Sequence, residues 1–135
     1  MTKNLVAYAA IALVMLALDM LWLGLIARPV YQQGIGHLMA ERPNVPVAML
    51  FYVVYPVGLL VFAVLPDAAD PGWAKAAVSA ALFGFFAYAT YDLSNLATLK
   101  GWPIGMSLLD MAWGSAASAV SGVAGKAALD RWAAG

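Results

Sequence analysis

Three aspartates set the chemical question in this sequence. Asp19, Asp92 and Asp110 lie within or near the limits of long apolar stretches. The other charges, Lys3, Arg28, Glu41, Arg42, Asp67, Asp70, Lys75, Lys100, Lys126, Asp130 and Arg131, fall at ends, loops and boundaries. A carboxylate at membrane depth costs several kcal/mol unless it faces protein or water, is paired, or is protonated. Neighbouring carboxylates disfavour double ionisation, and desolvation acts in the same direction. Such groups can bind and release a proton, accept a cation, hold a polar solute or serve as a general acid. Three acids together could also ligate a hard cation, although no metal site is assigned. A purely structural role, in which the carboxylates hydrogen-bond within the bundle and fix helix register, is the competing reading.

The neighbours favour a polar cluster. Tyr8, Ala12, Met15, Asp19 and Trp22 recur at three- and four-residue intervals and form one helical stripe. Tyr88, Asp92 and Asn95 form another, with Thr90, Tyr91, Ser94 and Thr98 nearby. Tyr88 and Asn95 offer Asp92 donors within its own helix, whereas Asp19 has none and must look across to another helix. Asp110 precedes Trp113 and Gly114. Tyr52, Tyr55 and Pro56 are expected to bend the second segment and to line or cover the cluster. The candidate ligand- or proton-binding set is therefore Asp19, Asp92, Asp110, Asn95, Tyr88, Tyr91, Tyr55, Trp22 and Trp113. His37 and Arg42, in the longest connection, are candidates for a pocket mouth. No catalytic residue can be named: there is no GxSxG, HExxH or glycine-rich phosphate loop, Cys is absent, and His occurs once. No cofactor is indicated.

The elements that must position these residues follow from composition. The 135-residue chain is 64% hydrophobic and 10% charged, with mean hydropathy +0.84. A soluble domain is nearer half apolar and a quarter charged, and so small a globule could not hide this much apolar side chain. Seven Lys plus Arg balance seven Asp plus Glu, which leaves no basic surface for nucleic acid. The lipid bilayer is the expected surrounding. Four apolar segments, at about 5–27, 47–65, 73–93 and 104–123, predict an all-α, polytopic four-helix bundle in a single domain covering 1–135. The first, at 1.5 Å per residue, reaches about 34 Å and is read as a retained helix rather than a signal peptide. The long first connection carries Val30, Tyr31, Ile35, Leu38 and Met39 on a possible short interfacial helix facing lipid. Trp73, Trp102 and Trp132 fit interfacial belts.

Spacing then fixes depth. Asp19 precedes Arg28 by nine residues, Asp92 precedes Lys100 by eight, and Asp110 follows Lys100 by ten. Each acid lies roughly 12 to 15 Å from a boundary charge. Four spans place those charges on one side of the membrane, so the acids share one leaflet. Lys3, Lys75, Lys126 and Arg131 face Arg28, Arg42 and Lys100 across the bilayer, which slightly favours cytoplasmic termini. Two local patterns complete the reading. Asp19-Met20-Leu21-Trp22 is echoed by Asp110-Met111-Ala112-Trp113. Gly114, Ser118 and Gly122 form a small-residue stripe suited to close helix packing, within the subunit or against a partner.

With these residues in place, the chain resembles a bacterial family of small four-span integral membrane proteins catalogued as a domain of unknown function. The resemblance rests on Asp19 with Trp22-Leu23-Gly24, Phe51-Tyr52 with Tyr55-Pro56 and Gly58, the run from Thr90 to Thr98 (TYDLSNLAT), Trp102-Pro103, and Asp110 with Trp113-Gly114. It covers nearly the whole chain and implies the four-helix fold and a bacterial inner-membrane location, with no activity attached. The first functional expectation is an intramembrane acidic pocket for a proton, cation or small polar solute, in a homodimer. The alternatives are a structural or accessory subunit with a partner in a larger membrane complex, and a small intramembrane enzyme using an Asp as acid or base.

Overall fold

Apolar segments in lipid must satisfy every backbone N–H and C=O internally, which selects helices. The computed structural model describes residues 1–134 and contains no strand among them. Helix α1 spans Thr2–Leu21 and continues through a π turn at Trp22–Ile26; α2 spans Arg28–Ile35 and ends in a 3₁₀ turn, Gly36–Leu38. Helix α3 spans Val45–Leu59 and runs on through a π turn, Leu60–Val64, and a 3₁₀ turn, Leu65–Asp67. Helix α4 spans Ala74–Thr98 and α5 spans Ile104–Ala134. Asn44 caps α3 by accepting from the Val47 N–H at 3.3 Å.

Thr2–Ile26, Val45–Asp67 and Ala74–Thr98 are long and apolar enough to cross a membrane. Their outer faces carry exposed Leu, Val, Met and Phe side chains from end to end, an apolar surface suited to lipid. The segment expected at 104–123 is part of a longer helix: α5 has 31 residues and runs on to Ala134. It is richer in Gly, Ser and Ala than the others. The reason is position, because α5 packs most extensively against α4 and α1 and buries Ser107, Asp110, Ala117, Ser118, Ser121 and Lys126. A helix shielded by its neighbours does not need an apolar outside.

Glycine brings α4 and α5 together. A side chain at Gly84 would strike the Gly114 carbonyl and Ser118, one at Gly114 would strike the Tyr88 ring, and one at Gly122 would strike Ala80. The Gly114–Ser118–Gly122 stripe is therefore consumed inside the chain and is not free to form a dimer face. These contacts also make α4 and α5 antiparallel. Gly125 against Ile11 and Trp113 against Asp19 do the same for α1 and α5.

The bundle has two unlike ends. Ala7, Ile11, Met15, Leu59, Leu60, Ala63, Val64, Ala80 and Leu129 form a dry core at the end holding the chain terminus. On α1 the buried stripe is Ala7–Ile11–Met15–Asp19, one residue away from the expected Tyr8–Ala12 line. At the opposite end Ala27, Tyr31, Trp102 and Met106 pack together. Asp19, Asp92 and Asp110 lie towards this second end, the arrangement expected from their spacing.

Candidate functional site

Two short features aim the side chains. The π turn in α1 closes with the Ala27 N–H donating to the Trp22 carbonyl at 2.7 Å, an i−5 bond. Such a turn re-aims the side chains it carries, and Trp22 here stacks on Trp113 with centroids 4.4 Å apart and planes 3° from parallel. Pro56, inside α3, lacks an N–H and crowds the preceding turn. Tyr52 and Tyr55 sit on that turn.

The Asp19 and Asp110 sites mirror one another across the stacked tryptophans. Tyr52 donates to Asp19 Oδ2 at 2.6 Å, and Trp113 Nε1 donates to Asp19 Oδ1 at 3.0 Å. On the other side Tyr31 donates to Asp110 Oδ1 at 2.6 Å, and Trp22 Nε1 donates to the Tyr31 hydroxyl at 3.2 Å. Each tryptophan thus serves the opposite aspartate, directly in one case and through a tyrosine in the other. The echoed Asp-x-x-Trp sequences meet in space as a local two-fold clasp between antiparallel helices.

Asp92 is different. It is fully buried, and neither carboxylate oxygen has a hydrogen-bond partner among the described residues. Its carboxyl has that of Asp110, on α5, as its acidic neighbour. No Lys or Arg pairs with Asp19, Asp92 or Asp110 among the described residues. Unpaired buried charge is costly, and these three acids have no basic partner to offset it among the described residues.

Two cavities adjoin the acids. One, of about 560 Å³, lies between α2, α3, α4 and α5 and is walled by aromatic and aliphatic side chains, with Asp110 in its lining. A second, of about 300 Å³, is lined by Asp19, Tyr52, Tyr88, Asp110 and Trp113 with residues of α3. Asp110 belongs to both. Its Oδ2 receives no hydrogen bond among the described residues. Tyr55 lines the larger cavity and exchanges a hydrogen bond with Ser118 Oγ at 2.8 Å. Tyr88 lines both, and Tyr91 stands edge-on to Trp102 in the wall of the larger one.

Other expectations are corrected. Tyr88 and Asn95 do not donate to Asp92. Helical side chains lean towards the N-terminus, so Tyr88 points away from Asp92, and its ring covers Gly114 instead. Thr90, Ser94 and Thr98 bond to carbonyls one turn back in α4, satisfying themselves on an exposed face instead of joining the cluster. His37 and Arg42 are exposed and line neither cavity; Ile35 and Met39 occupy the wall on that side. The three acids do not converge as metal ligands, and no group of three acidic or histidine side chains among the described residues does so.

Three residues emerge only from the structure. Tyr31, expected to face lipid, is 9% exposed and holds Asp110. Burial, reinforced by Asp110, pushes its phenol well above the ordinary tyrosine range, so it remains a donor. Trp102, expected in an interfacial belt, is buried against Tyr31 and Met106. Lys126, expected as a boundary charge, is 2% exposed, donating to the Asp70 carbonyl at 2.9 Å and to both Asp130 oxygens at 2.7 and 2.6 Å. The cue for Lys126 was Asp130 one helical turn later. Tyr31 and Trp102 had no comparable signal.

No curated protein and no solved structure matches this chain. The family described as "Predicted membrane protein (DUF2177)", a family of unknown function, matches residues 4–127. Helices long and apolar enough to cross a membrane agree with that match over most of the length, and the chain belongs to this family of predicted membrane proteins.

Proposed function

We propose that this is a multi-pass protein of the bacterial inner membrane, with α5 as its fourth crossing and both termini in the cytoplasm. In this reading Asp92 and Asp110 share a proton beside an intramembrane cavity, and Asp110 presents that cavity to a small polar or cationic solute. The observation that carries the reading is Asp92: fully buried, without a donor, and facing a second carboxyl. A proton between the two acids joins one oxygen of each and halves the charge that must be buried. Orientation rests on the basic residues Lys3, Lys75 and Arg131 near the termini side, together with Lys126, which Asp130 pairs. The small-residue stripe is used up within the chain, so nothing in it supports an accessory-subunit contact. The exposed positions of His37 and Arg42 give no support to an enzyme mouth.

A hydrophobic carbodiimide tests the pair, because it modifies protonated carboxyls in apolar surroundings. The full chain in lipid nanodiscs should be labelled at Asp110, or at Asp92 behind it, as read by peptide mass spectrometry. In Asp92→Asn the new amide donates to Asp110, which then no longer needs the shared proton. Labelling of Asp110 should fall about tenfold, because a carboxyl held by an amide donor no longer needs a neighbour's proton, while the protein still inserts. Undiminished labelling in that variant would overturn the reading.

A further inference from the structure

The larger cavity says more about its occupant than that it is polar. Its wall includes Phe51, Tyr55, Tyr88, Tyr91 and Trp102, and Asp110 lies among them. No basic side chain lines it among the described residues. Asp110 is 8% exposed, its Oδ1 is taken by Tyr31, and its Oδ2 is unbonded among the described residues. Aromatic faces attract cations through their electron-rich π surfaces, and one carboxylate oxygen without a donor calls for an N–H or O–H.

Access comes from the side. Helix α4 packs against the Leu60–Val64 turn, while the preceding half of α3 stands off from it. Tyr55 bridges the two helices through edge contacts with Phe83 and Tyr88, with centroids 5.3 and 6.3 Å away. Beyond Tyr55, Phe51 on α3 and Tyr91 on α4 line the cavity and are both part-exposed on the outer surface. The opening therefore lies on the outer apolar surface between α3 and α4. A volume of about 560 Å³ is within the range of sites for drug-sized molecules.

We propose that this cavity binds a lipophilic organic amine, which enters from the bilayer between α3 and α4, places its ammonium N–H on Asp110 Oδ2 and rests its cationic head against the tyrosine and tryptophan faces. The inference rests on the proton-sharing reading: with one proton between Asp92 and Asp110 the pair carries a single negative charge, which one ammonium neutralises.

The test uses octylammonium and octanol, which have the same chain and different heads. Each is titrated into the full chain in phosphatidylcholine nanodiscs and followed by tryptophan fluorescence. Octylammonium should saturate and bind at least tenfold more tightly than octanol. Asp110→Asn should abolish that preference. Tyr91→Leu, at a half-exposed position, should weaken octylammonium about fivefold, the scale of one cation–π contact, while the protein still inserts. Octylammonium should also protect Asp110 from the carbodiimide. Equal binding of amine and alcohol, or an unchanged preference in Asp110→Asn, overturns the amine assignment. If carbodiimide labelling of the pair persists in that case, the proton-sharing reading survives alone. Absence of both labelling and amine binding removes both.

Discussion

Asp19 and Asp110 occupy matching places in one clasp, yet the protein treats them differently. Each receives a tyrosine hydroxyl at 2.6 Å, and each follows the same Asp-x-x-Trp spacing. Trp113 completes Asp19 by donating to its second oxygen. Trp22 is diverted to Tyr31, so the second oxygen of Asp110 stays open beside a cavity and a third acid. The same local sequence has built a closed site and an open one. The closed site ties α1 to α3 and α5 and serves register. The open site keeps acceptor capacity that folding does not use, and there chemistry has room to occur.

The largest expected difference is in stability. Asp19→Ala strips acceptors from Tyr52 and Trp113 at once and leaves two part-buried donors without partners. A loss of about 2 to 4 kcal/mol follows from the cost of orphaned donors. Asp110→Ala orphans only Tyr31 and also relieves Asp92 of a facing carboxyl, so its loss should be about 1 to 2 kcal/mol. Reversible unfolding in mixed micelles measures both. Equal losses, or the reverse order, would break the distinction between a latch and a site.

The paired tyrosines sharpen it. Tyr52→Phe removes one hydroxyl donor and should cost about 1 kcal/mol, in the upper part of the range measured for hydrogen bonds between membrane helices; Tyr31→Phe also strands the Trp22 indole N–H and should cost about 1.5 kcal/mol. Their chemical effects should diverge. Tyr52→Phe leaves the Asp92–Asp110 pair untouched and should not alter its carbodiimide labelling. Tyr31→Phe frees Asp110 Oδ1, makes a shared proton more necessary, and should raise labelling about threefold. Identical labelling in the two variants would mean that the two halves are not chemically distinct.

How much of this was legible in the sequence depends on the residue. The apolar runs and their boundary charges located the helices, and their spacing put the three acids at one end. Asp19 has no donor in its own helix, and that alone required partners on other helices. Tyr31 was not legible, because in an eight-residue helix an apolar stripe looks the same whether it faces lipid or the bundle. Tyr88 failed as a donor for Asp92 because sequence proximity ignores the lean of helical side chains towards the N-terminus. The end of α5 was missed because Lys126, Asp130 and Arg131 look like a membrane boundary. The Lys126–Asp130 pair, one turn apart, instead carries the helix onward. The echo between the Asp-x-x-Trp sequences was visible, but which tryptophan serves which aspartate is a tertiary fact.

That exchange of tryptophans supplies the finest test. Trp22→Phe and Trp113→Phe both keep an aromatic face for the stack and remove an indole N–H. At Trp113 the lost donor acts on a carboxylate, and hydrogen bonds to charged groups are the stronger kind. Asp19 would keep only Tyr52, and a loss of about 1 to 1.5 kcal/mol is expected. At Trp22 the donor acts on a hydroxyl that still reaches Asp110, and the 3.2 Å separation marks a longer contact. A loss of about 0.5 kcal/mol is expected there. Combining each with Asp19→Ala separates the routes. Trp113→Phe should be strongly non-additive with Asp19→Ala because both remove one and the same bond, whereas Trp22→Phe should add to it within about 0.5 kcal/mol. Coupling of Asp19 to Trp22 as strong as to Trp113 would show that the stacked rings transmit the loss. The closed and open halves would then be one cooperative unit instead of two sites.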